Sequence, residues 1–168
     1  MTNDELETLA AKQAITEVIY RYCRGLDRMD RALTLSVWHP GGTADYGEEM
    51  YVGTGEGFVD WVWQQHAHFD RHSHQITNVL IEVDGDRAVS ESYVTVCLRT
   101  KPHEGGVTDI ESRGRYLDRW SRRDGRWAIE HRQYVDDIMH TVAVPDDAAA
   151  AITSGHRDRD DPSYAFLT

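Results

Sequence analysis

Hydrophobic residues recur on two different periods along this chain. In the N-terminal part, Ile15, Val18, Ile19, Tyr22 and Leu26 return at three- and four-residue steps, which marks the buried face of a helix over residues 3–26. Thr2, Asn3 or Asp4 can cap its start, and Glu5 and Glu7 suit its positive end. Gly25 is the expected terminator. A second, short helix is predicted over residues 30–38, stopping at Pro40-Gly41-Gly42. Residues 43–54 read as a short hairpin around Gly47. A third helix is predicted over residues 56–69, with Phe58, Val59, Val62, His66 and Phe69 on one side.

The period then changes to two. Residues 74–83 alternate, and Asp84-Gly85-Asp86 makes a turn. Residues 88–99 alternate again, residues 101–106 form a longer loop, and residues 108–122 make a long strand. Arg123-Asp124-Gly125 then turns the chain into a last strand over residues 127–136. Asp-Gly turns between alternating runs are strong hairpin signals. Helices followed by a meander predict an α+β domain, with helices packed on one face of a curved antiparallel sheet. That domain is expected over residues 1–144, and residues 145–168 form a C-terminal tail of different character. The apolar tail residues Tyr164, Phe166 and Leu167 are expected to dock on the body or on a neighbouring subunit.

Composition narrows the choice of partner more than it narrows the fold. At 168 residues the chain can bury a real core as one domain. Acidic residues outnumber basic ones 29 to 18, a net charge of −11 that argues against a nucleic-acid or anionic-membrane partner. Cys23 and Cys97 lie inside patterned elements and read as small buried hydrophobes in a reducing compartment. The N-terminus is polar and acidic, without the basic start and apolar run of a signal peptide, and no segment is long enough to span a bilayer. A cytoplasmic location is expected.

The most pointed chemistry is one carboxylate and one imidazole. Asp27 stands where the first helical pattern ends, and His74 opens the first long strand-like run. Such a pair is the simplest device for moving a proton near neutral pH.

Four local motifs then carry a resemblance. They are Ile19-Tyr20-Arg21-Tyr22 through Asp27, His74 through Asn78, Gly114-Arg115-Tyr116 through Trp120, and Asp124-Gly125-Arg126-Trp127 through Arg132. Together with the order of elements, they resemble the SnoaL-like branch of the nuclear-transport-factor-two-like fold, over roughly residues 8–140. The resemblance implies a cone-shaped α+β barrel, a bent sheet wrapped around helices with a pocket inside. Within that branch the chain is similar to small cofactor-free lyases: hexachlorocyclohexane dehydrochlorinase, scytalone dehydratase and bile-acid 7α-dehydratase. The dehydrochlorinase motif falls on Asp27, His74 and Arg132, and the bile-acid dehydratase motif adds Tyr22. The dehydrochlorinase carries a lysine where this chain has Tyr22, a departure that favours an oxygen leaving group or a carbonyl over halide. The resemblance also implies a dimer or trimer.

Chemistry gives each of the four residues a role. His74 would remove a proton from carbon, and Asp27 would fix its tautomer and stabilise the imidazolium. Tyr22 would donate a hydrogen bond to a carbonyl or leaving hydroxyl, and Arg132 would stabilise developing anionic charge or anchor a polar substituent. Plainer roles exist for each residue alone. Asp27 lies five helical steps from Tyr22, far round the wheel, so the catalytic role requires the helix to end near Gly25 and turn Asp27 inward. His74 shares a strand face with Ile76, Asn78 and Leu80, which suits a pocket wall or a core. Tyr22 reads as a core aromatic, and Arg132 as an ion-pair partner of Asp136, Glu130 or Asp118. Their joint spacing favours catalysis. The expected function is a cofactor-independent, dehydratase-type lyase acting on a small hydrophobic cyclic molecule such as a steroid, polyketide or aromatic compound. An isomerase or cyclase using the same base is the alternative, as is a noncatalytic binding or dioxygenase-small-subunit-like protein.

Other features read as structure. His66, His68, His72 and His74 look like a metal cluster, but two-residue spacing on a helix points side chains apart and no metal is expected. Gly53-Thr54-Gly55-Glu56-Gly57 reads as a tight turn into the third helix, and Arg119, Arg122, Arg123 and Arg126 as a solvated turn. Trp38, Tyr46, Tyr51, Trp61, Phe69 and Tyr134 are the candidates for lining a pocket.

Overall fold

The computed structural model describes residues 1–102, 106–144 and 154–167. The first helix, α1 (Asn3–Asp27), opens on a capping box. The Thr2 hydroxyl accepts from the Glu5 amide, and the Glu5 carboxylate accepts from the Thr2 amide. Ile15, Ile19, Tyr22 and Leu26 are buried, as their spacing requires. Gly25 does not end the helix, which runs on to Asp27, and the left-handed residue that follows is Met29 (φ 50°). Gly25 serves packing instead. A Cβ there would collide with the Thr34 hydroxyl and lie 2.9 Å from the Thr34 amide nitrogen, so the bare backbone lets α2 (Arg31–Ser36) sit against α1.

The second helix is shorter than predicted. Asp30 caps it by accepting from the Leu33 amide, and at Trp38 the chain is already extended. Trp38-His39-Pro40-Gly41-Gly42 begins β1 (Trp38–Asp45) rather than a loop. Proline and two glycines are tolerated because the pairing is irregular there, with a register shift between Trp38 and Thr43. Strand β1 turns at Gly47 (φ 86°) into β2 (Val52–Thr54), the expected hairpin. Thr54 caps α3 (Gly55–His66), accepting from the Gly57 amide. Phe58, Val59, Val62 and His66 are its buried face, while Phe69 belongs to the next strand.

Strands β3 (Phe69–Asp84), β4 (Arg87–Thr100), β5 (Val107–Arg123) and β6 (Arg126–Val144) form the meander. Gly85 (φ 56°) closes the β3–β4 turn, and Asp124 and Gly125 (φ 51° and 76°) close the β5–β6 turn with the paired left-handed conformation such hairpins use. The sheet order is β2-β1-β6-β5-β4-β3, an open curved sheet of six strands. One pair departs from the antiparallel expectation: β1 and β6 run parallel. The β5–β6 hairpin fixes the direction of β6, and β6 then lies beside β1 in the same sense.

A second departure lies in β3. Asn78 takes φ 48° and the register shifts between Thr77 and Leu80. This bulge reverses the phase of the strand. Ile76 packs on the core, but so do Val79, Ile81 and Val83, while Leu80 is 67% exposed. Leu80 therefore does not share His74's face.

The core fills the concave side of the sheet. Ile15, Ile19 and Leu26 of α1 and Phe58, Val59 and Val62 of α3 meet Trp38, Val94, Trp120 and Ile129 of the sheet. Within the tail, residues 145–153 lie outside the described residues, but a 3₁₀ turn, Pro162–Ala165, is docked near the end of α1. The Tyr164 hydroxyl donates to Asp30, Arg28 pairs with Asp161, and Arg24 donates to the Ser163 hydroxyl. Phe166 and Leu167 remain 84% and 70% exposed, so of the three apolar tail residues only Tyr164 docks on the body. Among the described residues no helix is long and apolar enough to cross a membrane.

Candidate active site

Asp27 reaches its place by a route the wheel argument from Tyr22 overlooks. It ends an i+4 row, Ala11, Ile15, Ile19, Cys23, Asp27, whose first four members are buried. The last turn of that row lies against β3. There the two carboxylate oxygens grip His74 twice. Oδ1 is 2.6 Å from the ring Nδ1, and Oδ2 accepts from the His74 amide at 3.0 Å. The pair is shielded, with the His74 side chain 4% and the Asp27 side chain 14% exposed. A carboxylate accepts here, so Nδ1 is the donor, and in the neutral imidazole that tautomer leaves the Nε2 lone pair free. Among the described residues nothing bonds Nε2.

His74 borders a cavity of about 640 Å³, within the range of small-molecule sites. Its walls are mainly apolar and aromatic, from α1, α3, the β1–β2 turn and strands β3 to β6. Tyr46, Trp61, Phe69 and Tyr134 border it as expected. Trp38 packs in the core against Phe58 instead, and the Tyr51 hydroxyl donates to the Thr54 carbonyl. No described tail residue borders the cavity.

Tyr22 also borders the cavity, and its hydroxyl lies 2.8 Å from that of Tyr46. Burial pushes the Tyr22 phenol up, while the Arg132 charge and the Tyr46 hydrogen bond pull it back. Burial also holds Tyr46 well above the usual phenol range. Both therefore remain hydroxyl donors.

Arg132 does not border the cavity. It is fully buried behind the tyrosine wall, 4.3 Å from the Tyr22 ring centre and 4.0 Å from that of Tyr116. Its guanidinium donates to both oxygens of Asp118 at 2.7 and 2.8 Å, which selects one of the three acids the sequence offered as partner. Burial opposes its charge, yet Asp118 more than offsets this and holds the guanidinium well above its ordinary pKa. Direct contact with a substrate's anionic charge is thus excluded by position. Its charge lies instead against the faces of the Tyr22 and Tyr116 rings, which do border the cavity.

Three of the four histidines, His66, His72 and His74, also come together. His66 of α3 stacks near His72 of β3 with ring centres 4.1 Å apart, and lies 6.5 Å from His74. Burial first, then the neighbouring histidines, lowers His66 to about 2. Burial first, then Arg157, lowers His72 to about 4. Neutral rings result. Among the described residues no group of three His, Cys, Asp or Glu side chains is placed to hold a metal ion.

The sequence reading missed Ser112 and Asp136, which also border the cavity. Two-residue alternation could have placed Tyr134 and Asp136 on one face of the last strand, and Ser112 two residues before the flagged Gly114.

Residues 7–133 match the family described as a SnoaL-like domain. No curated protein matches the chain in sequence. Among solved structures, a scytalone dehydratase-like protein from Novosphingobium aromaticivorans DSM 12444 is similar at TM-score 0.72 and 19% identity, covering 88% of this chain and 97% of that one. The hexachlorocyclohexane dehydrochlorinase LinA-type3 of Novosphingobium barchaimii LL02 is similar at TM-score 0.73 and 22% identity, over 84% of this chain and 99% of that one. A function-unknown protein of Mycobacterium tuberculosis, Rv3472, is similar at TM-score 0.67 and 26% identity, over 82% and 77%. With open curved sheet, enclosed helices and a matching sequence over most of its length, this chain belongs to the SnoaL-like domain family.

Proposed function

We propose that the protein is a cofactor-independent lyase of the dehydratase type, acting on a small hydrophobic cyclic substrate. The observation that carries this reading is the His74 imidazole at an apolar cavity of about 640 Å³, with Nδ1 held by Asp27 and Nε2 unengaged. Nε2 takes a proton from a substrate carbon. The C–H electron pair becomes the new double bond, and the leaving hydroxyl departs with its own pair. The abstracted proton and that hydroxide leave as water, returning the imidazole to its starting tautomer. Asp27 stabilises the imidazolium while it exists. The Tyr22–Tyr46 hydroxyl pair supplies the hydrogen bond to the substrate oxygen, with Arg132 behind the Tyr22 ring.

The test is turnover of hydroxylated steroids, polyketides and bicyclic aromatics followed by mass spectrometry. A product lighter by one water, lost in His74→Ala, supports the proposal. A product of unchanged mass that takes up deuterium from heavy water would instead make the protein an isomerase on the same base. Binding without turnover, unaltered in His74→Ala, would make it a binding module.

A further inference from the structure

At the rim of the cavity, away from the dyad, three oxygens converge on one another. The Ser112 hydroxyl lies 2.8 Å from Asp136 Oδ1, and the Tyr134 hydroxyl lies 3.1 Å from the same oxygen. Ser112 and Tyr134 are themselves 2.5 Å apart. All three residues border the cavity. Among the described residues Asp136 makes no ion pair, because the nearby Arg115 is engaged by both oxygens of Asp137. Its second oxygen, Oδ2, has no protein partner there.

The local backbone is shaped to make this arrangement. Arg113 pairs with Ile138 but Gly114 pairs with Asp136, so Asp137 is the extra residue of a bulge. The bulge turns Asp137 outward to Arg115 and returns Met139, not Ile138, to the cavity. Gly114 is the companion device. A Cβ there would collide with the Val135 carbonyl oxygen and lie 2.7 Å from the Tyr134 hydroxyl, so the bare backbone admits both the close approach of β6 and the Tyr134 ring. The Tyr134 ring is steadied by stacking on Tyr46, with centres 5.4 Å apart and planes within 19°. Burial first, offset by Ser112 and reinforced by Asp136, pushes Tyr134 up to about 12, so the phenol keeps its proton.

We propose that Ser112, Tyr134 and Asp136 form a recognition site for a hydrogen-bond-donating hydroxyl on the end of the substrate remote from His74. One of the two hydroxyl protons lies between Ser112 and Tyr134 and the other goes to Oδ1, a short chain that orients the carboxylate and leaves Oδ2 as the acceptor offered to the ligand. The substrate class is thereby narrowed from a hydrophobic ring compound to one carrying a second, non-reacting hydroxyl. The inference rests on the proposed function only in placing substrate in this cavity.

The test is calorimetric binding of two probes with the same rings, 2-naphthol and 2-fluoronaphthalene, to the full-length protein. Wild type is expected to bind 2-naphthol about ten-fold or more tightly, the preference a hydrogen bond to a charged acceptor gives. Asp136→Ala removes that preference. Asp136→Asn, which keeps the size and guards against misfolding, removes it too, because Ser112 and Tyr134 hold the amide oxygen and turn its NH₂ toward the donor. His74→Ala keeps it. Equal affinities in wild type, no binding of either probe, or a preference that survives in both Asp136 variants overturns the proposal, as does one lost in His74→Ala instead. No turnover enters the assay, so failure of the lyase reading would leave its result intact.

Discussion

A single hydrogen bond sets what His74 can do. With Asp27 on Nδ1, the ring offers Nε2 as base; with an amide there, the bond can be kept only by forcing the other tautomer or by turning the amide. Asp27→Asn is therefore expected to lower turnover by about 10³–10⁴-fold while circular dichroism and the unfolding midpoint stay near wild type. Arg132 illustrates the opposite case, a charged side chain kept from the cavity by a buried ion pair. Its pair with Asp118 is fully buried. Removing one partner leaves an uncompensated charge, so Asp118→Ala should cost about 3–5 kcal/mol in denaturant unfolding. The double variant Asp118→Leu, Arg132→Met should recover most of that loss, because two apolar side chains need no partner. At this scale the sequence offered the right residue types. It could not choose among Asp118, Glu130 and Asp136 as the partner of Arg132, because the choice depends on β5–β6 register, where Asp118 lies directly opposite Arg132.

Elements were legible where one period ran unbroken. The faces of α1 and α3, the two Asp-Gly hairpins and the helix-then-strand order all followed from spacing. Three places broke the pattern, each for a packing reason. Gly25 looked like a stop and is instead a contact, bare so that Thr34 can approach. Gly25→Ala gains helix propensity, about 0.5–1 kcal/mol. It also forces a Cβ into the Thr34 backbone, so a net loss of about 1–3 kcal/mol is expected in chemical unfolding. Asn78 looked like one more alternating position and is a bulge, so residues beyond it change face. Pro40-Gly41-Gly42 looked like a loop and is an irregular strand start beside β6.

Taken as a whole, the molecule is an open curved sheet packed on α1 and α3, and its interior holds two histidines, His66 and His72, that stay neutral. His66 and His72 fall from an ordinary value of 6.5 to about 2 and about 4. Burial is the first cause for both; Arg157 and the neighbouring histidines further oppose protonation, and at His72 the Leu26 carbonyl and the Asp27 carboxylate partly offset this. Below pH 6.5 the unfolded chain binds protons on these rings that the folded chain refuses. Their contribution is thus fully present above that pH and is lost as pH falls toward 4. Stability should decline by up to about 1.4 kcal/mol per pH unit for each ring across that window. His72→Phe should flatten the slope, as read from unfolding midpoints at pH 7, 6, 5 and 4.

The sequence by itself determined the α+β class and the order of elements, because periodicity and local turn chemistry are written in neighbouring residues. Asp27, His74, Tyr22 and Arg132 it offered as candidates, through residue chemistry and the family resemblance. Only the tertiary structure decided how they stand. Asp27 meets His74 because the last turn of α1 lies along β3; Arg132 stands behind the tyrosines because β5 and β6 pair in one register; and Ser112, Tyr134 and Asp136 converge because a bulge and a missing Cβ bring two strands' side chains together. Register, bulges and the approach of one element to another join residues distant in sequence, and no local pattern encodes the distance between them.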